Sequence, residues 1–294
     1  KPDDKVAYLF SGQGSQYINM GSDLIMQYDE ALNPWDKVSE MNLDAKKKLN
    51  EIVYPIPVFN EADRIDQSNL LVDTKWAQPA IGTLAISHLN LLKKIKLTPT
   101  IVGGHSYGEV AALYAAGIIE SEKDFINISR MRGVLMAKSE GKYKGAMSAV
   151  FASEKEVKEI LKKAKTKVVI ANINSPSQTV ISGYSNEIVL VEKVMENLDI
   201  RFQRLSVSTA FHSELVADST VEFEKYLSKI KFGKPKIPVY SNTTGGRYNI
   251  KGLNYAKPLA QQLAAPVQFE KQINAMYAEG VRTFLEIGPN KVLG

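Results

Sequence analysis

Thr100-Ile101-Val102-Gly103-Gly104-His105-Ser106-Tyr107-Gly108-Glu109 is the stretch that decides the fold class. Its apolar start, Thr100–Gly104, predicts a strand, and the Ala-rich run Glu109–Ala116 that follows predicts a helix. Between them Gly104-His105-Ser106-Tyr107-Gly108 fits G-x-S-x-G, the pattern of a nucleophile elbow at a strand-to-helix turn. The glycines leave room for a tight turn that lifts the serine hydroxyl above the sheet. The helix N-terminus beneath favours negative charge. The next amide, on Tyr107, can point at a developing oxyanion. An ordinary glycine-rich strand–helix turn is the other reading of the same residues.

Working outward, Val6–Phe10 is a short apolar strand running into the loop Ser11-Gly12-Gln13-Gly14-Ser15-Gln16. Residues 20–72 read as irregular and helical, and Trp76–Ile95 as a long helix with Pro79 in its first turn. Another helix is predicted near Lys123–Ala137. From Gly145 to Ser206 the predicted order is β-α-β-β-α-β, the ferredoxin-like split unit. After it come a helix near Ser213–Ile230, a strand at Ile237–Tyr240, helices near Tyr255–Leu263 and Glu270–Glu279, and a strand at Arg282–Ile287. The expected fold is α/β, a main domain with a mostly parallel sheet over 1–143 and 209–294, and a ferredoxin-like small subdomain inserted at 144–208. A chain of 294 residues is long enough for about two domains.

Composition excludes several chemistries. With no cysteine there is no disulfide, thiolate metal site, iron–sulfur cluster or cysteine nucleophile. Three histidines far apart in sequence make a histidine-rich metal site improbable, and no metal is expected. No run approaches the roughly 18 apolar residues of a membrane span. The absence of cysteine points to a reducing compartment, the cytoplasm. The chain starts at Lys1-Pro2 with neither Met nor a signal-peptide pattern, and reads as a domain from a longer protein. The net charge of +5 sits largely in lysine groups such as Lys46-Lys47-Lys48 and Lys93-Lys94, which read as solvated helix faces, not as a nucleic-acid site. A mildly basic surface favours an acidic partner or a phosphate-bearing substrate.

A nucleophilic serine needs a base. His88 lies mid-helix and reads as a packing or surface residue. His105 adjoins the serine but should leave the elbow in another direction, as a turn-stabilising side chain. His212, in Thr209-Ala210-Phe211-His212-Ser213, is the best base by elimination; a helix N-terminal histidine is the alternative. The loop Gly12–Gln16 lacks the third glycine of a dinucleotide fingerprint, since that position is Tyr17. It can present amides to an oxyanion, or be a plain turn. Arg132, in Arg130-Met131-Arg132-Gly133, could grip a carboxylate with two parallel hydrogen bonds. Alone it supports no substrate.

Taken together the motifs resemble the malonyl-CoA:acyl carrier protein transacylase family, which includes the acyltransferase domains of polyketide and polyunsaturated fatty acid synthases. The matching pieces are Phe10–Gln16, Ala77-Gln78-Pro79-Ala80, Gly104–Glu109, Met131-Arg132-Gly133, Asn174-Ser175-Pro176 with Val180–Gly183, Ala210–Ser213, Pro266-Val267-Gln268 and Glu286–Pro289. They run in family order along nearly the whole chain. Glu51–Phe59 and Asp73–Pro79 resemble in particular the domains of polyunsaturated fatty acid and enediyne-type iterative synthases.

The resemblance implies a hydrolase-like core with Ser106 as acylated nucleophile and His212 as general base. A backbone carbonyl near Gln262 would orient the imidazole in place of an acidic third member. Amides of Gln13 and Tyr107 would form the oxyanion hole, Arg132 would hold the free carboxylate of malonyl, and Gln78 and Phe211 would line the pocket. Phe211 beside the base and Tyr107 beside the nucleophile resemble the malonyl pattern. No permanently bound cofactor is implied: malonyl-CoA is the substrate, and phosphopantetheine arrives on the partner, an acyl carrier protein. Other domains of a multidomain synthase are implied partners as well. Two departures are Ser11, where the family often has Pro, and Asn290, where Gly is usual. A serine acyl hydrolase acting on carrier-bound acyl groups is the alternative enzyme, and a catalytically silent scaffold domain the alternative from another class.

Overall fold

The computed structural model describes residues 5–142, 144–205, 207, 210–249 and 251–294. The chain opens with β1 (Lys5–Phe10), then α1 (Ser22–Ile25), α2 (Asp29–Ser39), α3 (Leu49–Val53), α4 (Glu61–Val72) and the long α5 (Thr74–Lys94). β2 (Ile101–Gly104) leads into α6 (Gly108–Ala115) and α7 (Glu122–Lys142). There follow β3 (Gly145–Val150), α8 (Glu154–Ala164), β4 (Val169–Ser175), β5 (Gln178–Tyr184), α9 (Ser185–Asn197) and β6 (Phe202–Arg204). The chain closes with α10 (Ala217–Leu227), α11 (Ala256–Gln261), β7 (Val267–Gln268), α12 (Phe269–Ala278) and β8 (Val281–Ile287).

Two sheets organise the molecule. In the first, β1 lies between β2 and β8, parallel to both. β1 and β2 are short and largely buried, as a parallel sheet covered on both faces requires, whereas β8 at the edge is partly exposed. The predicted strand Ile237–Tyr240 runs alongside β2 but pairs only at Val239 with Val102. Pro238 has no N–H to give the ladder, although its carbonyl still accepts from Val102 N–H at 3.0 Å.

The second sheet has the order β6-β3-β5-β4-β7. Its first four strands pair antiparallel, in the order of a ferredoxin-like unit. The fifth, β7, comes from the far end of the chain and pairs parallel with β4. Sequence reading missed it, because two residues carry no periodicity. Tyr143, Ser208 and Thr209, where the expected domain limits fall, lie outside the described residues, as does Ser206 at the expected end of the last insert strand.

Helix α5 begins two residues before the expected Trp76, where the Asp73 side chain accepts from the Lys75 N–H at 3.0 Å. Pro79 therefore stands in the second turn and not the first. It cannot donate to the Lys75 carbonyl, and Arg130 Nη1 takes that carbonyl instead, at 2.7 Å. α5 and α7 lie so close that a β-carbon on Gly133 would collide with the Thr74 carbonyl. This contact explains the glycine after Arg132 and fixes where α7 presents its side chains.

Candidate active site

Ser106 sits between β2 and α6 with φ 51°, in the left-handed region. That conformation is strained for a residue with a β-carbon and is characteristic of an elbow. Both flanking glycines are sterically required. A β-carbon on Gly104 would strike the Gly108 carbonyl, and one on Gly108 would strike that of Phe10.

The elbow brings Ser106 Oγ within 2.8 Å of His212 Nε2. On its other side, His212 Nδ1 lies 3.1 Å from the Gln262 carbonyl and 2.9 Å from that of Ala265. Carbonyls only accept, so Nδ1 carries the proton and Nε2 keeps a lone pair for the Ser106 hydroxyl. His212 is buried, and its pKa is pushed down to about 3 by burial, then by the positive charge of Arg132 and by His105. The imidazole is neutral at pH 7, as a general base must be. Sequence reading expected one orienting carbonyl near Gln262; the structure supplies a second, Ala265, which no motif marked.

His105 leaves the elbow toward the small sheet. Its Nε2 donates to Asn174 Oδ1 on β4 at 2.8 Å, and its ring meets the edge of Phe269. His88, half-buried on α5, does not line the catalytic cavity.

Arg132 is among the largest fully buried side chains. Nη2 donates to Gln262 Oε1 at 3.1 Å and Nη1 to Met136 Sδ at 3.2 Å. Among the described residues its Nε has no partner, and no carboxylate lies within ion-pair distance. Burial lowers its pKa to about 10, which still leaves it cationic at neutral pH. A buried cation with a free N–H is costly unless an anion completes it.

Ser106, His212 and Arg132 share the lining of one cavity of about 500 Å³. The core contributes Gln13 and Phe211 as well, and the small sheet contributes Met147, Ala149, Asn172 and Val180. Gln78 does not line it: it is fully buried behind Gln13 and Met136, with Nε2 3.4 Å from Gln13 Oε1. The Tyr107 ring is buried too, its hydroxyl 2.7 Å from Ser129 Oγ, so its bulk does not narrow the cavity. Neither the Gln13 nor the Tyr107 amide donates to a backbone carbonyl among the described residues. The Gln13 loop is tied to the C-terminal turn, where Asn290, at φ 60°, donates from Nδ2 to the Ser15 carbonyl at 2.9 Å. Asparagine is among the non-glycine residues that tolerate this left-handed conformation.

Beneath the elbow lies a polar cluster. Gln262 Nε2 donates to the Ser106 carbonyl at 2.7 Å. Glu109 accepts from the Tyr248 hydroxyl and from the Asn242 N–H, and burial raises its carboxyl to about 7. No group of three potential metal ligands occurs among the described residues. The arrangement can deprotonate the Ser106 hydroxyl, hold a carboxylate-bearing acyl group near it, and shelter the product ester.

The sequence pattern of the acyl transferase domain matches residues 7–293. The chain belongs to the acyl transferase domain family. Within that family, the malonyl CoA-acyl carrier protein transacylase of Bacillus subtilis (strain 168) is 37% identical over 294 residues, covering 98% of this chain and 88% of that protein. A polyunsaturated fatty acid synthase protein of Thraustochytrium sp. is 30% identical over 298 residues, 98% of this chain but 10% of that protein. PlMCAT was solved as a malonyl-transacylase in complex with AntF, a type II polyketide synthase acyl-carrier protein. It matches with a TM-score of 0.88 at 26% identity, over 99% of this chain and 91% of that one. The acyl transferase resemblance drawn from the motifs therefore holds along the whole chain, for free-standing and synthase-embedded relatives alike. Among the described residues no helix is long and apolar enough to cross a membrane.

Proposed function

We propose that this acyltransferase moves a malonyl group from malonyl-CoA, through an ester on Ser106, to the phosphopantetheine thiol of an acyl carrier protein. The observation that carries this reading is the buried Arg132 guanidinium, whose Nε has no partner among the described residues, in the same cavity as the Ser106–His212 pair. The small subdomain, expected over 144–208, supplies the opposite wall of the cleft through Met147, Ala149, Asn172 and Val180. The cysteine-free chain fits the reducing cytoplasm.

Ser106 Oγ attacks the thioester carbon while its proton passes to His212 Nε2. The new positive charge is shared through Nδ1–H with the carbonyls of Gln262 and Ala265. The oxyanion accepts from the amides of Gln13 and Tyr107. Collapse breaks the C–S bond, and the departing CoA sulfur takes the proton from Nε2. In the second half, the carrier thiol gives its proton to Nε2 and attacks the seryl ester, and Ser106 Oγ recovers the proton as it leaves.

A malonyl carboxylate on Arg132 also offsets one of the charges that depress His212. The right acyl group thereby strengthens the base that acts on it. Acetyl leaves the guanidinium unpaired and the base weak.

Intact-protein mass after mixing with malonyl-CoA, methylmalonyl-CoA and acetyl-CoA separately tests the reading, with malonyl expected to load fastest. Ser106→Ala should show no acyl mass while remaining folded. His212→Ala should slow loading by a factor on the order of 10² to 10⁴. Release of free malonate in preference to transfer onto a carrier protein would identify a hydrolase instead.

A further inference from the structure

Asn242 stands 136 residues from Ser106, in Ser241-Asn242-Thr243-Thr244-Gly245-Gly246, whose composition says only turn. Its side chain is fully buried under the elbow. All four hydrogen-bonding positions of the carboxamide are used. Oδ1 accepts from the Ser106 N–H at 2.6 Å and from Gln262 Nε2 at 3.4 Å. Nδ2 donates to the Gly104 carbonyl at 2.5 Å and to Gln272 Oε1 at 2.9 Å. Its own backbone is held as well, N–H to Glu109 Oε2 at 2.9 Å and carbonyl from the Gln268 N–H at 2.8 Å.

One side chain thus bridges the strained turn, from the carbonyl where β2 ends to the amide of the nucleophile. A left-handed serine persists only where its surroundings over-determine it. The bond to the Ser106 amide has a second effect: that N–H is occupied and cannot turn toward a developing oxyanion. The following amide, on Tyr107, is then the elbow's donor.

On the reading of Ser106 as the acylated residue, we propose that Asn242 is the positioning residue of the nucleophile. It locks the elbow in its left-handed form and holds the Ser106 amide away from the reacting oxygen. Asparagine alone fits this place. Aspartate has no donor for Gly104 unless protonated, glutamine is one carbon too long, and alanine orphans a buried N–H and C=O.

The test measures labelling of Ser106 by a fluorophosphonate, followed by intact mass, in the whole chain between pH 5.5 and 8. The probe needs no malonyl group. A wild type that labels but takes up no malonyl would sink the malonyl assignment and leave this inference to be judged on its own variants. Asn242→Ala should label more slowly by a factor on the order of 10², the loss that about 1 Å of misplacement brings. With malonyl-CoA the loss should fall on kcat, with KM within about threefold of wild type. Asn242→Asp preserves size and carries the test if the alanine variant does not fold. It should be slow at pH 8 and regain about tenfold relative to wild type toward pH 5.5, because a protonated carboxyl can again donate to Gly104. Rates are taken per folded protein at each pH and as a ratio to wild type, which carries the same Glu109 beside residue 242, so recovery of the fold alone leaves that ratio unchanged. Wild-type labelling by a folded Asn242→Ala, or an Asn242→Asp to wild-type ratio unchanged across pH, overturns the proposal.

Discussion

Two faces of α7, two residues apart, carry two arginines with opposite surroundings. Arg130 is complete. Nε donates to the Leu43 carbonyl at 2.9 Å, Nη1 to the Lys75 carbonyl at 2.7 Å, and Nη2 to Asp44 at 3.1 Å, while the guanidinium lies 4.5 Å from the Trp76 ring centroid. Arg132, roughly 200° further round the helix, is more deeply buried, and among the described residues it has no carboxylate partner and its Nε has no acceptor. The first cation ties loops to a helix and repairs the gap left by Pro79. The second is held in place by Gln262 and Met136 but left chemically open. The bonds of Arg130 tie the fold together, whereas Arg132 keeps an N–H without a partner among the described residues, at the wall of the catalytic cavity.

The largest effect that separates the two is on substrate choice. Removing one partner of a buried charge pair costs about 3–5 kcal/mol. Arg132→Ala should therefore lower kcat/KM for malonyl-CoA by roughly 10² to 10³-fold, at about 1.4 kcal/mol per decade. Acetyl-CoA should load at an unchanged or higher rate, since the cation that depresses His212 is gone. Arg132→Lys should rescue only partly, because an ammonium lacks the planar fork. Equal losses for the two thioesters, in parallel acylation assays, would assign Arg132 to the fold and erase the contrast with Arg130.

A smaller effect concerns acid stability. His212 is neutral in the native state down to about pH 3, whereas an unfolded imidazole protonates near pH 6.5. Its folded pKa is depressed, so its contribution is complete above about pH 6.5 and is lost as pH falls toward 3. The slope is about 1.4 kcal/mol per pH unit within that window. Denaturant unfolding at pH 7 and pH 4.5 should show the stability of wild type falling relative to His212→Gln. A constant difference between the two proteins would mean that His212 is not held neutral.

The smallest effect belongs to Arg130. Arg130→Met should destabilise the protein by about 1–2 kcal/mol, because it leaves the part-buried carbonyls of Leu43 and Lys75 without that donor. A thermal melt reads this as a lowered Tm. The malonyl to acetyl ratio should stay within about twofold of wild type. A change in that ratio would show that both faces of α7 reach the substrate.

The sequence made some of this legible and hid the rest for physical reasons. The elbow could be read because its requirements are local: a strand before, a helix after, glycines where a β-carbon collides. The split β-α-β-β-α-β unit could be read because each element carries its own periodicity. Arg130 and Arg132 could not be told apart from the helix alone, since their difference lies in Leu43, Asp44, Lys75 and Gln262, contributed by other segments. Asn242 was silent for the same reason, as every partner of its side chain lies on another segment. The direction of the Tyr107 side chain was hidden too: it follows Ser106 in sequence, but the turn sends its ring into the core, to Ser129.

The two-residue strand β7 has a mechanical consequence. Its pairing with β4 bonds the edge of the small sheet to the segment immediately after Gln262 and Ala265, whose carbonyls hold the proton of His212. Between Ala265 and Val267 stands only Pro266, a stiff link with fixed φ. The segment acts as a short lever, anchored to the small sheet at one end and to the imidazole at the other. The support of the base and the edge of the sheet that lines the cavity are therefore one continuous piece of backbone.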